Sequence, residues 1–357
     1  MSNKKYDVIY YIGRFEPAHQ AHIDNIRDAL EQTDLVVIVV GSCGGPRTMK
    51  NPWDFSERVE MIRCNFNAEE NMSIVFASTN DHPYNDNAWA AQINRIIYDN
   101  TPISPFHPVK EAAKRGILCP RKDDSTYYLK YFTDIDQVEV PIRSGFNSTD
   151  IRDEYFTNPN GFVVGGYDAD VSKITKETYD FLVEWKINNP EEYQRIVREY
   201  RIVRDYRDAW SIAPYAPTFV TTDVVIVCCN HLLMIKRKSA PGEGLYALPG
   251  GFLNQNERIV DGAIRELKEE TKIKVPEKVL YGSIKNKEVF DAPNRSLRGR
   301  TITHAFYIEI DDEVLPKVKG SDDAVSAEWI PLANIGKMRN CLFEDHLDII
   351  QFFTGIY

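Results

Sequence analysis

Two short stretches of this chain carry residues whose types and spacing suit phosphate chemistry. In "GRFEPAHQAH" (Gly13 to His22) a Gly-Arg-Phe turn leads into a proline and two histidines three residues apart. His19 and His22 lie one helical turn apart, so both imidazoles can face one phosphate, with Arg14 adding a fixed positive charge. In "GFLNQNERIVDGAIRELKEETKI" (Gly251 to Ile273), Glu266, Glu269 and Glu270 stand at i, i+3 and i+4, which crowds three carboxylates on one helix face. A hard divalent cation with oxygen ligands relieves such repulsion. Both patterns have blander readings. A histidine pair is commoner as a satisfied surface or core feature, and a Glu-rich helix is usually a solvated face.

The elements around these stretches decide between the readings. "DVIYYIG" (Asp7 to Gly13) reads as a strand, "HIDNIRDALEQT" (His22 to Thr33) as a helix from Ile23, Ile26 and Leu30, and "LVVIVVGS" (Leu35 to Ser42) as a second apolar strand, making a βαβ unit. Further apolar runs at Ile74–Ala77 and Ile117–Cys119 and an alternating one at Gln137–Pro141, spaced by helical patterns such as "NAWAAQINRIIY", predict an α/β domain on a doubly wound parallel sheet. The histidines then sit in the first βα turn, where a helix N-terminus offers unpaired N–H groups to a phosphate.

Lys173 to Trp210 reads as helical, with Tyr193, Val197, Tyr200, Val203, Tyr206 and Trp210 recurring every three or four residues. Arg195, Arg198, Arg201, Arg204 and Arg207 share that stretch with Glu and Asp, so it reads as an aromatic packing stripe with a salt-laced solvent face rather than a nucleic-acid surface. "APYAP" (Ala213 to Pro217) ends it, and the β-branched "TFVTTDVVIVC" opens a second domain. The expected division is 1–185, a helical connector at 186–214, and 215–357.

At 357 residues the chain is longer than one core usually grows, which agrees with two domains. A formal charge of -10 would repel nucleic acid or an anionic membrane. Six cysteines without C-x-x-C spacing read as reduced thiols of a cytoplasmic protein. The start "MSNKKYDVIYYIG" is too short in apolar residues for a signal peptide, and no run approaches the ~18 apolar residues of a membrane span.

The Glu-rich stretch resembles the Nudix box G-x5-E-x7-R-E-U-x-E-E-x-G-U, with U aliphatic, through Gly251, Glu257, Arg265, Glu266, Leu267, Glu269, Glu270 and Ile273. Lys272 replaces the late glycine, which puts the C-terminal turn of the helix in question. The flanks "LLMIKRKSAPGEGLYALPGGF" and "GSDDAVSAEWIPLANI" are similar to the same family. The resemblance implies an α+β domain that hydrolyses a nucleoside diphosphate linked to another group, with Mg2+ or Mn2+ held by Glu266, Glu269 and Glu270 and by the carbonyl of Gly250, and with Arg265 holding a glutamate in place. It is nearest to the ADP-ribose pyrophosphatase branch. Asp322, Asp323 and Glu288 are candidates for its base.

"GRFEPAHQAH" in turn resembles the nucleotidyltransferase signature G-x-F-x-P-x-H-x-G-H through Gly13, Phe15, Pro17, His19 and His22, with Ala21 in place of glycine. "FNSTDIR" (Phe146 to Arg152) resembles I-S-x-T-x-x-R through Thr149 and Arg152. Ser148 and Thr149 are expected to cap a helix and leave its amides for the leaving phosphates, and Arg152 to meet their charge. With "PRTMKNPWDFSER", which supplies Arg47 and Asn51, the set resembles nicotinamide mononucleotide (NMN) adenylyltransferases of the archaeal type, in which His19, His22, Arg14 and Arg152 would serve catalysis. Trp89 lies where relatives stack an aromatic on the nicotinamide ring, although a tryptophan in a helical pattern is as often core.

The order of the two resemblances matches bifunctional proteins that join NMN adenylyltransferase to Nudix ADP-ribose pyrophosphatase. They imply ATP, NMN, NAD and ADP-ribose as ligands and leave homo-oligomerisation open. One alternative is a nucleotidyltransferase with another acceptor. The other is an ADP-ribose-sensing regulator, disfavoured because the chain is expected to end at Tyr357 without a DNA-binding winged helix.

Overall fold

The computed structural model describes residues 4–103, 113–119, 124–141, 143, 145–158 and 173–356. Two compact units emerge, residues 1–197 and 198–357.

The first unit begins with β1 (Val8–Gly13), α1 (Gln20–Gln32) and β2 (Val36–Val40). It continues through α2 (Phe55–Arg63), α3 (Ala68–Met72), β3 (Ile74–Ser78), α4 (Asp86–Asn100), β4 (Arg115–Cys119) and β5 (Asp136–Glu139). α5 (Ser148–Thr157) and α6 (Lys176–Asn188) follow, and α7 (Pro190–Ala209) contains the boundary between units. The strands run in the order β3-β2-β1-β4-β5, every pair parallel, so this is the doubly wound α/β sheet expected from the apolar runs. β2 is buried along its whole length, which is why Val36–Val40 reads as an unbroken apolar run rather than an alternating one. One face packs Val8, Tyr10, Val37, Val39, Ile93 and Ile97, each such side chain contributing about 1.5–3 kcal/mol on burial. β1 pairs with β2 on one side and β4 on the other, so the loop leaving β1 sits where the strand order reverses.

The helical run expected over Lys173–Trp210 is two helices. Asn189 caps the end of α6 with φ -127 and ψ 54, and Pro190 starts α7, the first-turn position where its missing N–H costs nothing. Tyr193 and Ile196 are buried in the first unit and Tyr200 and Val203 in the second, while Arg201, Arg204 and Arg207 stay exposed.

The second unit contains β6 (Phe219–Cys228), β7 (His231–Arg237), β8 (Tyr246–Ala247), β9 (Gly250–Phe252) and α8 (Ile259–Thr271). α9 (Glu277–Gly282), β10 (Ile284–Phe290), β11 (Thr301–Ile310), β12 (Ala324–Pro331), α10 (Leu332–Ile335) and α11 (His346–Thr354) complete it. Its mixed sheet has the order β10-β11-β6-β7-β12, with β8 on β7 and β9 on β6. Alternation along β6 serves two cores: Val224, Ile226 and Cys228 meet Ile264 and Leu267 of α8, while Val225 and Val227 meet Leu347 and Ile350 of α11. Among the described residues no disulfide joins any of the cysteines. Among the described residues no helix is long and apolar enough to cross a membrane.

Candidate active sites

The first site is built on the loop between β1 and α1. Phe15, buried, takes a left-handed φ of 55, and its ring lies so close to Gly13 that a Cβ there would come within 2.9 Å. Glycine at 13 is therefore a packing requirement. Next comes Glu16, 1% exposed, with Oε1 3.3 Å from Arg58 Nη1 and Oε2 accepting from the Trp53 amide at 3.3 Å. Burial pushes its carboxyl up to about 8, against the opposing pull of Arg58. Arg58 itself donates to the carbonyls of Arg14 at 2.9 Å and Gly41 at 2.7 Å, fastening the loop to the segment that follows β2. Neither Glu16 nor Arg58 was singled out from the sequence. The one available signal was a glutamate set between Phe15 and Pro17.

α1 starts at Gln20, two residues before the sequence-based expectation, because His19 is its N-cap. The two histidines cap each other. His19 Nδ1 accepts from the His22 amide at 3.3 Å and His22 Nδ1 from the His19 amide at 3.2 Å, and the rings stack at 3.5 Å with 9° between planes. With Nδ1 accepting, each neutral ring carries its proton on Nε2, so two like N–H donors are held side by side at a helix N-terminus. Such a pair suits a phosphate oxygen.

α5 is tied to the same loop. Ser148 Oγ donates to the Pro17 carbonyl at 3.0 Å; Arg152 donates to the Glu16 carbonyl and, at 3.1 Å, to Thr149 Oγ1. The expected cap differs: Asn147, not Ser148 or Thr149, is the N-cap, its Oδ1 accepting from the Thr149 amide at 2.9 Å. Asn147 stands where the family motif has serine, and either side chain provides the oxygen a cap needs. Arg152 is buried and its Nε has no partner. Arg14, by contrast, is exposed.

Three expected ligand contacts lie in other surroundings. Arg47 is engaged by Glu57 and, at 2.7 Å, by Asp54, and sits over the Trp185 ring, so its charge serves the start of α2. Asn51 belongs to a turn in which its amide donates to Thr48 Oγ1 at 3.2 Å, and its buried Oδ1 has no partner. Trp89 packs edge-on against Tyr128 and Phe132 at the fringe of the core.

The second site centres on α8. Arg265 grips Glu257 with two hydrogen bonds of 3.0 and 2.7 Å, and its Nη1 donates to Glu266 at 2.9 Å and Glu269 at 2.8 Å. A fifth bond from Nη2 reaches the Phe252 carbonyl at 3.2 Å. Hydrogen bonding from Arg265 holds the Glu257 carboxyl down at about 2. Glu270 takes the opposite course: it is 4% exposed, accepts from the Gly250 amide at 2.9 Å, and burial pushes its carboxyl up to about 8, with Glu266 and Asp223 pushing the same way. Glu266 is raised too, first by burial.

Gly250 is held against β6 so closely that a Cβ would lie 2.1 Å from the Thr222 carbonyl oxygen and 2.8 Å from Asp223 Oδ1. A Cβ on Gly251 would meet Glu266 Oε1 at 2.6 Å. Both glycines of "LPGG" are thus required by close approach. Lys272 ends α8 in the left-handed conformation, φ 46 and ψ 31. The family's glycine at that position has a backbone reason, and the turn forms here without it.

Behind Gly250 lies a buried charged network that the sequence did not reveal. Asp223 accepts from Thr303 Oγ1 at 2.6 Å and lies 3.8 Å from both Arg295 and His346, and Arg295 grips Asp345 with two bonds of 2.8 Å. The only local signal was one aspartate inside "TFVTTDVVIVC". Of the candidate bases, Asp322 is near enough to Glu266 to raise its carboxyl, and Glu288 is exposed on β10.

The donor set fits a hard divalent cation. Its atoms are oxygens, and the charges of Glu266 and Asp223 add to burial in raising the Glu270 carboxyl, a conflict that a divalent cation relieves. Among the described residues no three of these carboxylates already surround one point, because Arg265 bridges Glu266 and Glu269.

Comparison with known proteins agrees with two sites of different kinds. A cytidylyltransferase-like family model matches residues 10–154 and a NUDIX domain model residues 217–353. The chain is 32% identical over 198 residues to a nicotinamide/nicotinic acid mononucleotide adenylyltransferase of Acinetobacter baylyi, covering 55% of this chain and 95% of that protein. It is 35% identical over 145 residues to an ADP-ribose pyrophosphatase of Methanocaldococcus jannaschii, covering 41% and 78%. A bifunctional NMN adenylyltransferase/ADP ribose pyrophosphatase from Francisella tularensis superposes with a TM-score of 0.86 and 33% identity, over 98% of this chain and 99% of that one. The same Francisella protein complexed with AMP and a manganese ion matches equally well.

Proposed function

Since the chain belongs to the family of bifunctional NMN adenylyltransferase/ADP-ribose pyrophosphatases, we propose that it is an enzyme that both makes NAD and removes ADP-ribose. The first unit transfers the adenylyl group of ATP to NMN, giving NAD and pyrophosphate. The second hydrolyses ADP-ribose to AMP and ribose 5-phosphate. The reading is carried by the presence, on one chain, of a mutually capped histidine pair at a helix N-terminus and an arginine-clamped glutamate cluster.

In the transferase the NMN phosphate attacks the α-phosphorus of ATP in line, and the protein positions the reactants and meets their charge. His19 and His22 donate from Nε2 to the reacting phosphates; the Gly13–Phe15 turn and the Ser148 hydroxyl, bonded to the Pro17 carbonyl, shape the nucleotide loop. Arg14 contributes charge from the exposed side. Arg152, buried against Glu16, also orients the loop. Arg47 and Trp89 would reach a ligand only by leaving their present partners, whereas the buried Asn51 Oδ1 has none to leave.

In the hydrolase Glu266, Glu269 and Glu270, with the Gly250 carbonyl, would hold Mg2+ or Mn2+, which when bound supplies Lewis acidity toward the diphosphate. Arg265 orders the carboxylates, and the Gly250 amide fixes Glu270. Six cysteines without a disulfide among the described residues support a reducing cytoplasm as the place of action.

Product analysis tests both halves. Purified protein with Mg2+ should form NAD from ATP plus NMN, and AMP from ADP-ribose. Glu270→Gln should remove only the second activity and His22→Ala only the first. If either substitution abolished both, two independent sites would be refuted.

A further inference from the structure

The "LPGG" turn serves the hydrolase site twice, through the Gly250 carbonyl offered to a cation and through the Gly250 amide that holds Glu270. It lies where the chain changes partners. β6 and β7 pair at their hairpin, Val227 with Leu232 and Cys228 with His231, and farther along β8 lies on β7 and β9 on β6. Leu248 and Pro249 make the crossing from β8 to β9. Proline has no N–H to satisfy, and the Pro249 carbonyl accepts from the Val224 amide at 2.9 Å. Leu248 is buried, so its amide needs an acceptor, and a side chain supplies it: the amide donates to His346 Nδ1 at 2.8 Å.

His346 is the first residue of α11, which packs on the face of the sheet opposite α8. The short path from Leu248 to Gly250 is therefore pinned at both ends, by His346 from one face and by Glu270 from the other. Buried charge orients the imidazole. An amide donating to Nδ1 leaves the ring proton on Nε2, and Nε2 lies 3.8 Å from Asp223 Oδ1. Asp223 stands opposite Gly250 in the β6–β9 register. The Asp345 carboxylate caps no amide of α11; Arg295 grips it with two bonds of 2.8 Å and so fixes the residue before His346. An apolar side chain at 346 would fill the space and leave the Leu248 amide unpaired.

Resting on the proposed hydrolase reading, we infer that His346 is a positioning residue of the hydrolase. Through the Leu248 amide it sets where the Gly250 carbonyl and amide stand relative to α8, and with them the geometry in which that carbonyl and Glu270 meet a divalent cation. Asp223 and the Arg295–Asp345 pair keep Nδ1 turned to the amide.

The test replaces one ring nitrogen at a time in the full-length protein. His346→Asn puts a carbonyl oxygen at the place of Nδ1, where it can accept from Leu248. His346→Gln puts its amide group at the place of Nε2 and leaves the Leu248 amide bare. Mn2+ binding without substrate is followed by the EPR signal of free Mn2+, with Glu270→Gln marking the share of binding that belongs to the hydrolase site and NAD synthesis controlling for folding. A Mg2+ titration of ADP-ribose hydrolysis is the second readout. His346→Gln should weaken Mn2+ binding at that site about tenfold, and raise the half-saturating Mg2+ by the same factor, the lower end of the loss for a residue that acts through a ligand. KM for ADP-ribose at saturating Mg2+ should hold, and His346→Asn should rescue both metal readouts. If wild type leaves ADP-ribose intact while His346→Gln loses Mn2+ affinity and His346→Asn keeps it, the substrate reading falls and the positioning role stands. Equal Mn2+ affinity in wild type and His346→Gln overturns the role. So does His346→Asn losing as much as His346→Gln.

Discussion

Arg265→Lys keeps the charge of the hydrolase clamp and removes its shape. The guanidinium makes five hydrogen bonds, to Glu257 twice, to Glu266, to Glu269 and to the Phe252 carbonyl. An ammonium is a single point with three donors, so it cannot hold Glu257 with two parallel bonds and still reach the two carboxylates on α8. Glu257 stays near the solvent and is rehydrated, so folding stability should change little. Glu266 and Glu269 lose their fixed orientation, and loss of such an orienting partner typically costs about 10- to 100-fold in metal affinity or activity, about 1.4–2.7 kcal/mol. The assay is ADP-ribose hydrolysis over a Mg2+ titration, with NAD synthesis by the same preparation as an internal standard. The half-saturating Mg2+ concentration should rise, or the plateau rate fall, by that factor while NAD synthesis holds. A titration superimposable on wild type would refute the assignment of Arg265 as the orienting residue.

Three further outcomes follow from single contacts. Gly250→Ala places a methyl 2.1 Å from the Thr222 carbonyl oxygen, so β9 must leave β6 and the Glu270 anchor with it; hydrolysis should fall about 100-fold with NAD synthesis retained, and parallel rate measurements check this. Lys272→Gly relieves a left-handed residue worth about 1–2 kcal/mol but adds the ~0.5–1 kcal/mol entropic cost of glycine; with the lost cation at the helix end the net gain is roughly 0.5 kcal/mol, a Tm higher by about 1–2 °C, and calorimetry showing a lower Tm would mean that the turn is unstrained. Glu16, whose carboxyl is pushed up to about 8 from the ordinary 4.5, keeps in the native state a proton that the unfolded chain has released. Stability should therefore fall as pH rises from about 4.5 to about 8, by at most ~1.4 kcal/mol per unit, and Glu16→Gln should flatten that dependence; denaturant unfolding of both proteins at pH 5, 6.5 and 8 decides, and parallel slopes would count against a protonated Glu16.

What was legible in the sequence was local. β1, α1 and β2 follow from apolar spacing within thirty-odd residues, and the glutamates of α8 from i, i+3 and i+4 positions on one helix. The histidine pair was recognisable as a phosphate site, but not that each ring caps the other's amide, because an N-cap histidine is outside the usual Ser, Thr, Asp and Asn set. The break at Asn189 was hidden by an apolar stripe that runs on through Pro190. Contacts between distant segments left at most a lone charged residue as a local trace: Glu16 with Arg58, Arg47 diverted to α2, and Arg295 with Asp223 and Asp345 each join residues whose approach only the finished fold dictates. The departure at Lys272 was visible in the sequence and gained its explanation from the dihedral angles.

The long parallel pairing of β6 with β11 also sets a timetable for synthesis. Phe219 aligns with Thr301 and Cys228 with Ile310, so the strand that β6 must join is made about 80 residues later, a wait on the order of ten seconds at ribosomal speeds. During that interval the valines of β6 have a nearer neighbour. The turn at Cys229 and Asn230, both with positive φ, folds β7 back at once, Cys228 against His231 and Val227 against Leu232. The C-terminal end of one edge of the nascent strand is therefore covered within a few residues of its completion, while the opposite edge stays open until β11 arrives.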